Sequence, residues 1–253
     1  MTAVPQRDPF QGVRQILRFN WPKYAAAAAI TGAVTFVAPL LPMSAGFVLL
    51  AASLPVVFWT ASSLLISHYV YDRSHLYDFS WLPLVLKISP KHWLNVHCGL
   101  DETSALLAAR FPDAAGEIVD IFDPCAMTEN SIRQARAAQH NATRSTPARF
   151  HALPFPAGAF DAVFCIFTAH ELRRHADRVR LFAEIARLLA PGGTFVLVEH
   201  LRDWPNFPAF GPGFLHFHTW RAWQQAAHEA DLVGRTDFPF TPFVRIAAFR
   251  RRI

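Results

Sequence analysis

The sequence predicts an α/β domain, a mostly parallel sheet covered by helices on both faces, carried behind an apolar helical hairpin. Two observations predict it. Between Tyr24 and Tyr71 there is no Asp, Glu, Lys or Arg, a gap too long for a water-soluble domain of ordinary composition. From Trp93 onward, short apolar runs alternate with helical patterns, which is the arrangement of βαβ units with a sheet buried on both sides.

Residues 1–23 precede the hairpin. Phe10, Val13, Ile16 and Leu17 fall on one helical face with Arg14 and Arg18 among them, which suits a short helix lying on an anionic membrane surface. A solvated amphipathic turn fits so short a pattern equally well. Residues 24–71 form the hairpin itself. "YAAAAAITGAVTFVAPLL" (Tyr24 to Leu41) rises roughly 27 Å as a helix and "AGFVLLAASLPVVFWTASSLLISHY" (Ala45 to Tyr69) roughly 37 Å, against about 30 Å for a hydrocarbon core. The turn "PMS" between them leaves room only for a helical hairpin, and Pro55 should kink the second helix. A secretory signal has a shorter apolar region and no second long one directly behind it. Arg7, Arg14, Arg18 and Lys23 before the hairpin and Arg73, Lys87 and Lys91 after it place both ends, and so the large C-terminal domain, in the cytoplasm. The expected location is a bacterial inner membrane.

Residues 72–92 read as a linker and 93–253 as the soluble domain. "HWLNVHCG" is a buried strand and "DETSALLAARF" a helix with Asp101 as candidate N-cap. "GEIVDIFDP" and "AMTENSIRQARAAQ" repeat the pair. "PARFHALPF" holds a short third strand, "FDAVFCIFTA" a fourth, and "ADRVRLFAEIARLLAPGG" a long helix closed by Pro191 and two glycines. "TFVLVEHL" is a fifth strand. An aromatic segment, "DWPNFPAFGPGFLHFHTW", leads to the helix "WRAWQQAAHEADL", and "RTDFPF" with "FVRIAAFRR" suits an antiparallel pair at the sheet edge.

The net charge is +5, but much of the excess flanks the hairpin or ends the chain. No Lys/Arg stripe with interleaved aromatics suggests a groove for bases, so lipid headgroups are the expected partner and nucleic acid is not. Cys98, Cys125 and Cys165 show no CxxC spacing and read as buried reduced thiols.

The element order and two segments, "LPFPAGAFDAVFCIFTAHEL" (Leu153 to Leu172) and "RLFAEIARLLAPGGTFVLVEH" (Arg180 to His200), resemble the class I S-adenosylmethionine-dependent methyltransferases, particularly the ubiquinone and menaquinone branch. The resemblance covers Trp93 to about Arg250 and implies a Rossmann-like seven-stranded sheet with S-adenosyl-L-methionine as cofactor. In "WLNVHCGLDETS", Asn95 matches the family's acid and His97, Gly99 and Asp101 its three loop glycines, so only the middle glycine is kept. That loop lets backbone approach the cofactor's methionine part and opens a helix N-terminus toward its carboxylate; here His97 and Asp101 add side chains. Asp123 is the expected partner of the ribose hydroxyls, with N-capping of the next helix as its other reading. Phe150 and His151 stand near the adenine position, and Phe167, within the fourth strand's pattern, is a further candidate cofactor contact.

In an open α/β sheet the site lies at the carboxyl ends of the strands. His170 and His200 are the candidate bases, since imidazole titrates near neutral pH; Glu171, Glu199, His216 and His218 are candidate acceptor-binding groups. Each of these histidines reads also as a satisfied structural one. A metal shared by His170, His200, His216 and His218 finds no helical i, i+4 pair or tight cluster in its favour, so none is expected. The aromatic segment reads as an apolar lid, a membrane-facing surface, or core under a long loop. The expected function is a membrane-anchored methyltransferase for a quinone-like or phenolic lipid. The alternatives are a quinone-modifying enzyme of the rhodoquinone type that uses the same cofactor, and a non-catalytic membrane scaffold on the same fold. Oligomeric state is not legible.

Overall fold

The computed structural model describes residues 7–138 and 145–252. Helix α1 (Gln11–Phe19) leads into α2 (Trp21–Val37) and α3 (Met43–His68), which continues through one π turn to Arg73. The spans Trp21–Leu40 and Met43–Asp78 are long and apolar enough to cross a membrane. They present Phe36, Met43, Phe47 and Leu54 outward, each more than three-fifths exposed. The two helices cross closely at Gly46, where a Cβ would stand 2.4 Å from the Ala38 carbonyl oxygen, and Tyr24 is hydrogen-bonded to Ser63 across the pair at 3.1 Å.

After the short α4 (Leu82–Val85) the sheet begins. Its strands are β1 (His92–His97), β2 (Ala115–Asp120), β3 (Thr146–Pro147), β4 (Phe160–Ile166), β5 (Leu189–His200), β6 (Leu232–Thr241) and β7 (Val244–Arg251). Between them lie α5 (Ser104–Arg110), α6 (Asn130–Ala137), α7 (His175–Leu188), α8 (Asn206–Phe210) and α9 (Trp220–Glu229). The spatial order is β3-β2-β1-β4-β5-β7-β6, parallel through β5 and antiparallel at the β7 and β6 edge. This is the expected seven-stranded Rossmann-like sheet. Reversal of strand order between β1 and β4 opens a crevice above their carboxyl ends, where such sheets hold ligands.

The strands at the centre are apolar on both faces because both faces are covered. On one face Val96, Val163, Cys165 and Leu197 pack with α7 and with Trp223 of α9. On the other, Phe164, Val196 and Ile246 pack with Leu107 of α5 and with Phe79, Trp81 and Leu82. Those last three belong to the segment that reads as a linker; it is a core layer. The second helix of the domain is shorter than its sequence pattern, and the pattern's last residue, Gln139, lies outside the described residues. Cys98 and Cys165 are buried, whereas Cys125 is exposed, which corrects the expectation of three buried thiols: it sits in a surface turn past the end of β2.

The N-terminal helix is more than a surface strip. The Asp72 carboxylate accepts the backbone N–H groups of Gly12 at 2.6 Å and Val13 at 3.1 Å, capping α1 from the end of the hairpin. Arg7 pairs with Glu102 at 2.9 Å, fastening the chain start to the loop after β1.

Candidate active site

Above the carboxyl ends of β1, β4 and β5 lies a cavity of about 770 Å³, within the usual range of roughly 300–1,000 Å³ for small-molecule sites. One wall is the domain: the loops His97–Leu100 and Phe167–Glu171, with Ile132 and Ala135 of α6. The opposite wall is the N-terminal part: Ile16 and Phe19 of α1, Lys23 and Tyr24, and Trp59 and Ser63 of α3. The aromatic segment closes the third side with Phe210, Leu215 and Phe217. It is a lid seated on α3, where Ser62 donates to the Pro208 carbonyl at 3.0 Å and Trp59 meets Phe207 edge-on. Gly211 makes that seating possible. Its φ of +54° suits glycine, and a Cβ there would lie 2.7 Å from the Trp59 ring.

In the loop after β1, Asn95 and Asp101 turn inward to build the turn. Asn95 Nδ2 donates to Thr103 Oγ1 and Ser104 Oγ, both at 2.8 Å. Asp101 Oδ1 accepts the N–H groups of Thr103 and Ser104 at 3.2 and 3.0 Å, opening α5. Neither residue lines the cavity, so both leave the set of direct cofactor contacts. His97 does line it, is only 4% exposed, and has both ring nitrogens unpartnered. It forms part of the floor without filling the cavity.

Register points to a second acid beside Asp123. His97 pairs with Asp120, the last residue of β2, so Asp120 holds the strand-end position. Asp123 accepts the Cys125 N–H at 2.8 Å within its own turn, which is its capping reading. Asp120 is engaged by Arg136, whose Nη1 lies 2.9 and 2.7 Å from the two carboxylate oxygens and 3.1 Å from the Cys98 carbonyl. The same guanidinium lies over the Phe122 ring at 4.2 Å. Phe150 is core and His151 is exposed, and neither reaches the cavity. Sequence reasoning missed Asp120 and Arg136; an acid ending an apolar run was the available signal, and two acids fit it.

The histidines separate into roles. His200 is buried with both nitrogens committed: Nδ1 donates to the Phe243 carbonyl and Nε2 accepts from the Tyr71 hydroxyl, each at 2.8 Å. Burial pushes its imidazole down to about 4, with the Phe243 bond opposing. Its ring stacks between Phe167 and Phe217, and Phe167 keeps that place at a positive φ of 49°, a conformation that bulky residues adopt only under constraint. His200 is therefore a structural hinge between hairpin and sheet, which corrects its assignment as a base. His218 is likewise structural, buried against Trp223 and accepting from Arg178 Nη1 at 3.1 Å.

His170 stands at the cavity wall. Its Nδ1 donates to Glu199 Oε2 at 2.7 Å, and its backbone N–H donates to Glu199 Oε1 at 3.2 Å. Glu171 Oε1 lies 3.5 Å from the other ring nitrogen. Burial alone would push this imidazole down, but Glu199 and Glu171 outweigh it and raise the ring to about 10. As a free side chain it is a cation at neutral pH, able to donate rather than accept, so the base role is corrected here too. Glu199 lies behind His170 and does not reach the cavity, whereas Glu171 and His216 line it.

The sheet order and the cavity above its carboxyl ends have the architecture of class I methyltransferases, proteins that take a methyl group from S-adenosylmethionine. Residues 94–197 match the family described as a methyltransferase domain. A demethylmenaquinone methyltransferase of Thermus thermophilus is 33% identical over 126 residues, 48% of this chain and 54% of that protein. One from Deinococcus radiodurans is 34% identical over 111 residues, 44% of each. The chain spans about half the length of these curated relatives. Among solved structures, the mitomycin 7-O-methyltransferase matches with a TM-score of 0.57 at 18% identity, covering 99% of this chain and 75% of that one. Geranyl diphosphate methyltransferase in complex with S-adenosylmethionine matches at 0.51 and 18%, covering 75% and 90%. At such identities the likeness is one of fold.

The residues present fit that cofactor only in part. The loop His97–Leu100 offers room and unpartnered polar atoms to its amino-acid end. At the ribose end Arg136 holds Asp120, and a Cβ on Gly99 would already stand 3.4 Å from Ile132, so α6 rests on the glycine's open face. A ribose bound to Asp120 would compete with Arg136 for the carboxylate.

Proposed function

We propose that this protein is a membrane-anchored methyltransferase whose acceptor is a lipophilic, quinone-like or phenolic small molecule. The observation that carries the reading is the composition of the cavity: one wall is the ligand-binding edge of a methyltransferase-like sheet and the other is a pair of helices long and apolar enough to cross a membrane, with the helix that precedes them. An acceptor dissolved in the bilayer would reach the reacting end along α3, past Trp59 and beneath Phe210 and Phe217, without crossing water. Apolar walls exclude water and orient a ring, which is the main contribution required of the protein in methyl transfer. His170 and Glu171 stand in the wall of the cavity, where they would meet an acceptor oxygen. The names of the curated relatives support a quinone acceptor. The basic residues that flank the hairpin favour a cytoplasmic side for both ends of the chain.

The test uses the full chain in lipid nanodiscs with methyl-labelled S-adenosylmethionine and a demethylated naphthoquinol. Label in the extracted quinone is expected. Absence of label from that quinone and from every lipid of the host membrane overturns the reading. The contact of α6 and Arg136 with the cofactor seat favours one second reading, a scaffold on a retired methyltransferase fold. It requires that Asp120→Asn leave the cellular role intact.

A further inference from the structure

Three ligand atoms converge at the inner end of the cavity, one each from His170, Glu171 and His216, all within 4.8 Å of one another. They come from two segments far apart in sequence, the turn after β4 and the 3-10 turn Gly211–His216 that follows α8. His170 Nε2 to Glu171 Oε1 is 3.5 Å, and His216 Nε2 to the same oxygen is 3.9 Å. These are too long for hydrogen bonds. Bonds of about 2.1 Å at a tetrahedral centre put neighbouring ligand atoms roughly 3.4 Å apart.

Four further features organise the group. Glu199, 2% exposed, holds His170 Nδ1–H at 2.7 Å, which aims Nε2 at Glu171. With Nδ1 so engaged, Nε2 faces a carboxylate oxygen across 3.5 Å, a gap that holds a proton on Nε2 in the free protein and that a bound cation would take over. Glu171, buried, keeps its second oxygen without any partner. Arg173 bonds the backbone carbonyls of His216 and Leu215, so its charge is spent on fixing the turn that carries the third ligand. Charge also closes: two neutral imidazoles and the carboxylates of Glu171 and Glu199 balance one divalent ion.

We propose that His170, Glu171 and His216 bind one divalent transition-metal ion, with Glu199 as the positioning carboxylate behind His170. Two nitrogens and one carboxylate form the ligand set of catalytic zinc sites and of the facial triad that also takes manganese or iron. Open positions on such an ion face the cavity. Its role rests on the methyltransferase reading: the ion would bind the oxygen of a phenolic or enolic hydroxyl and lower its pKa, so the acceptor enters methyl transfer as the anion. The substrate class narrows accordingly, to rings carrying an ionisable hydroxyl that can reach a metal.

Untagged full-length protein in detergent is stripped with a chelator and titrated with Zn²⁺, Mn²⁺ or Co²⁺ alone, with neither cofactor nor acceptor present. One ion per chain is expected, with a cobalt visible spectrum showing nitrogen and oxygen ligands. Glu171→Gln and His216→Ala should each weaken binding at least about 100-fold, and Glu199→Gln about 10- to 100-fold. Circular dichroism and unfolding midpoints check that each variant is folded, and the wild-type spectrum stands independently of them. Failure of wild type to take up any of the three ions overturns the proposal, as does undiminished binding in the Glu171 and His216 variants. Transfer assays on stripped protein separate the two readings: methyl transfer at full rate without metal discards the ion and keeps the methyltransferase, whereas stoichiometric ion binding without any transfer keeps the ion site and discards the function.

Discussion

Replacing Arg136 by alanine should strengthen binding of the demethylated cofactor product. In the structure the Arg136 guanidinium holds both oxygens of Asp120 at 2.7 and 2.9 Å, and if Asp120 is the ribose acid, the ribose hydroxyls would need those same oxygens. The two side chains are 32% and 15% exposed, so the pair is neither a free surface bridge nor fully buried. A charge-assisted hydrogen bond contributes about 1.5–3 kcal/mol when shielded and under about 1 kcal/mol when fully solvated, which places this pair near 1.5 kcal/mol. Breaking it before the ribose can dock therefore lowers affinity roughly tenfold. Calorimetric titration of S-adenosylhomocysteine into full-length protein should give about tenfold tighter binding for Arg136→Ala than for wild type. Asp120→Asn should abolish the gain, and Asp123→Asn should leave it in place. Unchanged or weaker binding in Arg136→Ala would refute the competition and make the guanidinium a cofactor contact or a bystander. Undetectable binding in both proteins would refute it as well and favour the scaffold.

Three other outcomes follow from the geometry. Tyr71→Phe removes the donor to buried His200 Nε2, and the orphaned acceptor should lower stability by about 1–3 kcal/mol in denaturant unfolding; an unchanged midpoint would deny Tyr71 its role in joining hairpin to sheet. Gly211→Ala places a methyl group 2.7 Å from the Trp59 ring at a φ of +54°, so the lid should lift from α3. A red-shifted emission that disappears in a Trp59→Phe background would report it, and wild-type emission would count against this seating. Glu184 accepts from Arg187 and from the Leu153 N–H, and these bonds hold its carboxyl below the ordinary glutamate value, Arg187 contributing most and burial opposing. A lowered folded-state value gives stability that is complete above the unfolded pKa and lost as pH falls through the folded one. The gap between wild type and Glu184→Gln should accordingly close on acidification, and a gap that stays constant with pH would exclude the linkage.

The strands that carry the site were legible because burial on both faces makes them nearly continuous apolar runs: β1, β4 and β5 announce themselves in "WLNVH", "VFCIF" and "FVLVEH". The two-residue β3 did not, since a pair of residues has no period, and the pattern "PARFHALPF" begins where the strand ends. Asp120 escaped because "IVDIF" stays apolar on both sides of it, so the run offers both Asp120 and Asp123 as its end; only pairing with His97 chooses between them. Composition suggested a linker at residues 72–92 although Phe79, Trp81 and Leu82 help cover one sheet face, because a layer whose only α-helix is the single turn α4 carries no periodic signal. The histidines were visible as a set, but their division was not. His216 and His218 stand two residues apart, one against the cavity and the other against Arg178, and that choice depends on a turn held by Arg173 from across the site.

The placement of α1 and α3 along one side of the cavity has a practical outcome for the bench. Cutting the chain near residue 72 to obtain a soluble enzyme would discard Ile16, Phe19, Trp59, Ser63 and Tyr71 together, leaving the histidine cluster open to bulk water and His200 without its phenol. Such a fragment could keep its sheet and still be inert, so silence from a truncated preparation would report on the missing half of the chamber and say nothing about the chemistry of the intact one.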